Sequence, residues 1–272
     1  MDTQLYAVSS IAIAVGLLIA ILAANELGYR GGRWWQKNTD EEIKGQTVAI
    51  TASVLGLLAL LLGFTYNMSV QRYDSRAAAM LDEANAIGTA FLRISLIPDQ
   101  YQQQARQLFA VYAQERVASG QLTIVDETDR QTMLKREADT LEAIWRLAIA
   151  AADTDPRPVT AGLFIQSLND MIDARDKRHA VLERSVPPIV FYLLFTVVVL
   201  SCGFLGYGSG LSGRRANIAT LLLTSIIVAV MFILIDLDRP RRGYIQVNQA
   251  PMLQLLDTIA PRTDILSGSG PN

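Results

Sequence analysis

Cysteine and histidine are almost missing from this 272-residue chain: Cys202 and His179 stand alone. One thiol cannot close a disulfide within the chain, and one thiol with one imidazole cannot furnish a His/Cys zinc site. Runs of Lys/Arg without compensating acids are absent too, and 24 basic against 26 acidic residues leave a net charge of −2. A nucleic-acid partner is therefore not expected. Nucleophile elbows, phosphate-binding Gly-Lys-Ser/Thr loops and metal-ligand spacings do not occur. Neither an enzyme nor a bound cofactor or metal is expected.

Charge is missing from four long tracts. Thr3–Asn25 lies between Asp2 and Glu26, Gln46–Gln71 between Lys44 and Arg72, Ser185–Gly213 between Arg184 and Arg214, and Ala216–Ile235 between Arg215 and Asp236. Each supplies the ~20 apolar residues with which an α-helix crosses a bilayer core. Met1–Gln4 holds no cation and the first apolar run exceeds the ~7–15 residues of a signal core, so it reads as a retained membrane helix. The expected class is all-α: a polytopic membrane protein with four spans and a helical cytoplasmic domain inserted between the second and third. Residues 1–71 hold spans one and two, 72–184 the water-facing domain, 185–237 spans three and four, and 238–272 a C-terminal tail.

The connections carry their own signals. Glu26–Gly45 places Tyr29, Trp34 and Trp35 among Arg30, Arg33 and Lys37, which reads as a loop on the membrane surface. The third span opens at Ser185 with Pro187 and Pro188, tolerated in a first turn. It is expected to end in a flexible turn formed by Gly203, Gly206, Gly208, Gly210 and Gly213. The middle segment reads as helices over Val70–Ile97, Asp99–Ser119, Thr128–Asp153 and Thr160–Glu183, with Gln121–Val125 ambiguous. The second and fourth of these have apolar stripes at Ala105, Leu108, Phe109, Val111 and Tyr112, and at Leu163, Leu168, Met171, Ile172 and Leu182. The third has Leu134, Leu141, Ile144, Trp145 and Ala148 on one side.

An even number of spans puts both termini on the domain's side. Nine cations border the membrane there (Arg72, Arg76, Arg175, Lys177, Arg178, Arg184, Arg239, Arg241 and Arg242) against six on the other side. That excess leans towards a cytoplasmic domain in a plasma-membrane protein.

In the second span Ser53, Gly56, Ala59, Gly63 and Asn67 recur every three or four residues. Such a stripe lets helix backbones approach closely in lipid, with Ser53 and Gly63 as packing positions. An adjoining face with Leu60 and Phe64 one turn apart could instead line a pore, since hydrophobic constrictions gate by dewetting. Asp236 and Asp238 end the fourth span beside Arg239. Anions at a helix C-terminus need cationic or backbone partners, so they read either as structural links or as a carboxylate ring at an ion path. Arg72, Arg76, Glu83, Asp173 and Arg178 are expected to form a helix-to-helix ion-pair network. His179, beside Arg178 on a charged helix, reads as solvated.

The run Leu62-Gly63-Phe64, followed eight residues after the Phe by Arg72-Tyr73, resembles the bestrophin channels. Over most of its length the chain is similar to a bestrophin-like family of bacterial membrane proteins. The matching features are Arg72-Tyr-Asp-Ser-Arg76, Glu83-Ala-Asn85, Asn169 with Asp173 and Arg178, and Asp236-Leu-Asp-Arg-Pro240 with Gly243. The resemblance implies a homo-oligomer, a pentamer, conducting small inorganic ions along an axis beside the second span. It places Leu60 and Phe64 at the constriction and Gly56 where the family has a third apolar residue, with Asn67 as a polar mouth. The calcium-binding acidic run of animal bestrophins is missing. The rival expectation is a non-conducting, membrane-anchored scaffold or sensor whose domain binds a partner.

Overall fold

The computed structural model describes residues 9–121, 127–215, 217–240 and 243–260. The ambiguous stretch after Gln121 and two of the counted cations, Arg241 and Arg242, lie outside them. Among the described residues the secondary structure is entirely helical: α1 (Ser10–Trp35), α2 (Glu41–Leu92), α3 (Asp99–Gln121), α4 (Glu127–Thr154), α5 (Leu163–Glu183), α6 (Pro188–Leu211), α7 (Asn217–Leu237) and α8 (Ala250–Ile259). Four helical stretches are long and apolar enough to cross a membrane, with mean hydropathy from 2.1 to 2.9 in their most apolar windows. The chain divides into two compact units, one of residues 1–73 with 185–246, the other of 74–184 with 247–272. Helix α2, at 52 residues, is shared between them.

The first unit packs α1, α6, α7 and the first part of α2. Its core joins Leu17 and Ile21 of α1, Leu58 of α2, Phe191, Leu194, Val198 and Cys202 of α6, and Ile227, Met231 and Leu234 of α7. Helix α1 does not stop at Glu26, where the charge-free tract ends, but runs on to Trp35. A helix satisfies its own backbone whatever its side chains carry, and long cations can reach outward from it. Glu26 and Arg30, one turn apart, pair at 2.9 Å. The expected surface loop shrinks to residues 36–40.

Glycine explains the second departure. Gly203, Gly206, Gly208 and Gly210 lie inside α6, and only Gly213 sits in the turn, with φ +68°. A Cβ on Gly206 would collide with the Asn25 carbonyl, one on Gly210 with the Tyr29 carbonyl. From the other side, a Cβ on Gly28 would meet the Gly203 carbonyl, and one on Gly32 the Tyr207 carbonyl. The two backbones touch over this stretch, and Asn25 Nδ2 donates to the Cys202 carbonyl at 3.2 Å beside it. Small residues three and four apart on both helices permit this approach.

The second unit is built from the rest of α2 with α3, α4, α5 and α8. Ile87, Ile94, Phe109, Tyr112, Ile144, Phe164, Leu168 and Met171 form its core. Helix α8 belongs here, with Met252 and Ile259 in that core, so part of the expected tail is a packed element. Helix α3 continues through Gly120, which leaves room for Gln249 Oε1 at 2.7 Å from an added Cβ. Helix α5 begins after a π-type turn at Pro158–Gly162. Val111 and Leu163, expected on the apolar stripes, are exposed.

The glycine contact yields an expected outcome. Gly206→Val should lower the unfolding free energy of the detergent-solubilised protein by about 1–3 kcal/mol or more, the range for overpacking. Gly16→Ala, with nothing within 4 Å of its added Cβ, should stay within about 0.5 kcal/mol. Denaturant titration of both variants checks this.

Candidate functional site

In the membrane part of α2 the buried positions are Thr51, Leu58, Thr65 and Ser69. Their spacing of seven and four marks one helix face, turned to the first unit's core. The threonine hydroxyls are satisfied within the helix, Thr51 donating to the Thr47 carbonyl at 2.7 Å and Thr65 to the Leu61 carbonyl at 2.8 Å. The other side carries Ser53, Gly56, Leu60, Gly63, Phe64 and Asn67, all exposed. Leu60 is 54% and Phe64 62% exposed. Among the described residues, nothing beyond the local backbone of α2 lies within 4 Å of a Cβ built on Gly56 or Gly63. The small and polar positions read from the sequence thus share the face that the described residues leave uncovered.

Asp236 and Asp238 are 0% and 1% exposed. Both Asp238 oxygens accept the Val186 N–H at 3.0 Å. Val186 is the last residue before Pro187 and Pro188 that has an N–H to offer, so Asp238 anchors the start of α6. Asp236 Oδ2 accepts the Ile245 N–H at 2.8 Å. Gly243 is required at this turn, since an added Cβ would lie 2.5 Å from the Asp236 carbonyl and 2.8 Å from that of Arg239. Arg239, also buried, donates from Nη1 to Ser10 Oγ at 3.4 Å. The two carboxylates act as backbone acceptors closing the chain after α7.

The charge network of the second unit differs in membership from the expected one. Glu83 and Arg178 do meet, with Arg178 Nη1 donating to Glu83 Oε2 at 2.7 Å. The hub is Arg116. Its Nε and Nη2 donate to the two Glu83 oxygens at 2.7 and 3.0 Å, and its Nη1 donates to Glu137 Oε2. Arg76 is buried but donates to the Arg184 carbonyl at 3.0 Å. Asp173 is exposed and Arg72 lies in the other unit. At the surface Lys177 and Asp82 pair at 2.8 Å.

Arg116 and Glu137 were readable as anomalies. Arg116 follows Tyr112 by one turn on the buried stripe of α3, and Glu137 falls between Leu134 and Leu141 on that of α4. A charge at a core position signals a buried pair, yet its partner on another helix is invisible in one sequence. Burial pushes the Glu83 carboxyl up, but the Arg116 and Arg178 guanidiniums outweigh that and hold it below its ordinary value. Burial works against the Arg116 charge, and Glu83 and Glu137 more than offset it. Among the described residues no group of His, Cys, Asp and Glu is placed to hold a metal ion.

Four apolar helices, a charged helical unit and an uncovered small-residue face on α2 define a helical membrane protein. The bestrophin-like domain matches residues 7–252, and the chain belongs to the bestrophin-like family. Solved structures of a bacterial bestrophin homologue from Klebsiella pneumoniae are similar in fold. One variant, with a leucine-to-threonine substitution, has a TM-score of 0.68 at 16% identity, over 91% of this chain and 96% of that one. A tryptophan-to-alanine variant has a TM-score of 0.65 at 16% identity, over 93% and 96%. The form phased on zinc has a TM-score of 0.64 at 17% identity, over 90% and 95%. No curated protein matches the sequence.

Removing Arg116 should strand Glu137 and leave Glu83 with Arg178 alone. Arg116→Met is expected to cost about 3–5 kcal/mol in denaturant unfolding. Because Glu83 is held below its ordinary 4.5, its contribution is complete above that pH and lost as pH falls through the folded value. Glu83→Gln should therefore shorten the acid limb of the stability–pH curve.

Proposed function

We propose that copies of this chain assemble around an axis flanked by α2 and conduct small inorganic ions passively along it. What carries this reading is the uncovered α2 face, where Ser53, Gly56, Gly63 and Asn67 interleave with Leu60 and Phe64. Lipid accepts an exposed leucine without penalty but offers an exposed Asn67 side chain no hydrogen-bond partner. Close backbone contact between subunits would use Ser53, Gly63 and the space above Gly56. Four spans are too few to enclose a pore alone, and closed rings are the common solution for identical subunits. Five subunits is the number implied by likeness to the bestrophin channels.

In this reading Leu60 and Phe64 form successive apolar rings that resist wetting and set the gate, Gly56 widens the next level, and Asn67 lines a polar mouth. The second unit lies in the cytoplasm of a plasma-membrane protein, in line with the cation excess on its side.

Planar-bilayer recording of the purified oligomer under an asymmetric salt gradient tests this. Discrete currents with a defined reversal potential are expected, and Leu60→Ala or Phe64→Ala should raise open probability or conductance. Silence from the original protein and both widened variants, with the oligomer intact, would overturn the channel reading in favour of a scaffold.

A further inference from the structure

The core of the second unit contains more polar atoms than its helices satisfy. Tyr112 and Glu137 are both 0% exposed, yet Tyr112 Oη and Glu137 Oε1 are buried without a hydrogen-bond partner. Arg175 Nε and His179 Nε2 share that condition. His179 is half-buried on α5, not solvated as its charged neighbours suggest. These atoms come from one neighbourhood. Tyr112 stands one turn from Arg116 on α3, Arg175 one turn from His179 on α5, and Glu137 is bonded to Arg116. Tyr112 and His179 each feel the charges of Arg116, Arg175, Glu83 and Glu137.

Buried polar groups without protein partners in native cores are met by ordered water or by a ligand. The charge pattern selects between guests. A cation would face the guanidiniums of Arg116, Arg175 and Arg178, and an anion would face the unshared oxygen of Glu137. Water suits the set as it stands. The Tyr112 hydroxyl and Arg175 Nε–H donate, while Glu137 Oε1 and the Nε2 of a neutral imidazole accept, two of each.

We propose that Tyr112, Glu137, Arg175 and His179 frame an internal hydration site, and that it fits water only while His179 is neutral, making the second unit an acid-sensitive element. Protonation turns Nε2 from acceptor to donor, leaving three donors and one acceptor. It also adds a charge beside Arg116 of α3 and Arg175 and Arg178 of α5. The carboxylates whose charge reaches His179 are Glu83 of α2 and Glu137 of α4, and both are committed to Arg116, while Glu115 of α3 adds its charge beside Glu137. Just before α8, the uncharged Gln249 lies 3.5 Å from Arg178.

Burial first, then Arg116 and Arg175, lower the proton affinity of His179. The neutral form is the folded one, so its contribution is complete above the ordinary 6.5 and is lost as pH falls below that, through the folded value. This regulation is independent of ion conduction, because its readout is the protection of the domain itself.

Hydrogen exchange of the full-length protein in nanodiscs, corrected for the chemical exchange rate, tests it between about pH 8 and pH 5. Peptides from α3, α4 and α5 should lose protection on acidification, about tenfold for each full unit by which His179 is depressed. His179→Gln, which keeps an acceptor but does not titrate, should flatten that slope. A crystal structure at neutral pH should show ordered water between Tyr112 Oη and Glu137 Oε1. The same slope in wild type and His179→Gln, protection that rises on acidification, or an empty site at neutral pH would each overturn the proposal.

Discussion

The contact between two bare helix backbones, α1 and α6, sets the arrangement of the first unit. Lipid tails are as apolar as leucine, so burying leucine gives helices little reason to associate in a membrane. What remains is close dispersion contact and the occasional polar link, both of which need backbones to approach. Gly28 and Gly32 facing Gly203, Gly206 and Gly210 permit that approach, and the Asn25 bond to the Cys202 carbonyl falls within it. The same turns of α1 carry charge on their free sides. Arg215 stacks over the Tyr29 ring at 4.2 Å from its centroid and reaches Glu26 at 3.4 Å. Contact face and charged face thus belong to one continuous helix, and α1 outlasts its apolar tract.

The second unit solves a different problem. Its core is not uniformly apolar, because Arg116 sits inside it holding Glu83 and Glu137 from two other helices. Desolvating three charges is expensive, and a hydrophobic replacement of the whole set could be as stable. What the set supplies is direction: a guanidinium fork donates to carboxylates in few geometries, so it restricts how α2, α3 and α4 align. Arg178 and Gln249 extend the same link to α5 and the start of α8. Around this hub lie buried polar atoms without a hydrogen-bond partner among the described residues.

The helices were largely readable because their signals are local. Charge-free tracts and apolar periodicity both act within a few residues. The misreadings came from partners far along the chain. Gly203 to Gly210 resemble a flexible turn until α1 is known to cross them. His179 looks solvated beside Arg178 because nothing local says that the fold half-buries it. Asp236 and Asp238 end a helix where anions need partners, but the donors, Val186 and Ile245, become visible only in the fold. On α2 the sequence grouped Ser53, Gly56, Leu60, Gly63, Phe64 and Asn67 by helical spacing alone.

The sequence by itself determined the class: apolar length and the need to satisfy every backbone group in lipid leave helices as the spanning form for these tracts. It also determined which residues share a face, since 3.6 residues per turn is a property of the backbone. Only the tertiary structure decided which glycines are contact surfaces, which carboxylates are buried, and that Arg116 is the centre of the charge network. Those depend on what another helix places opposite, and helical periodicity describes one helix at a time.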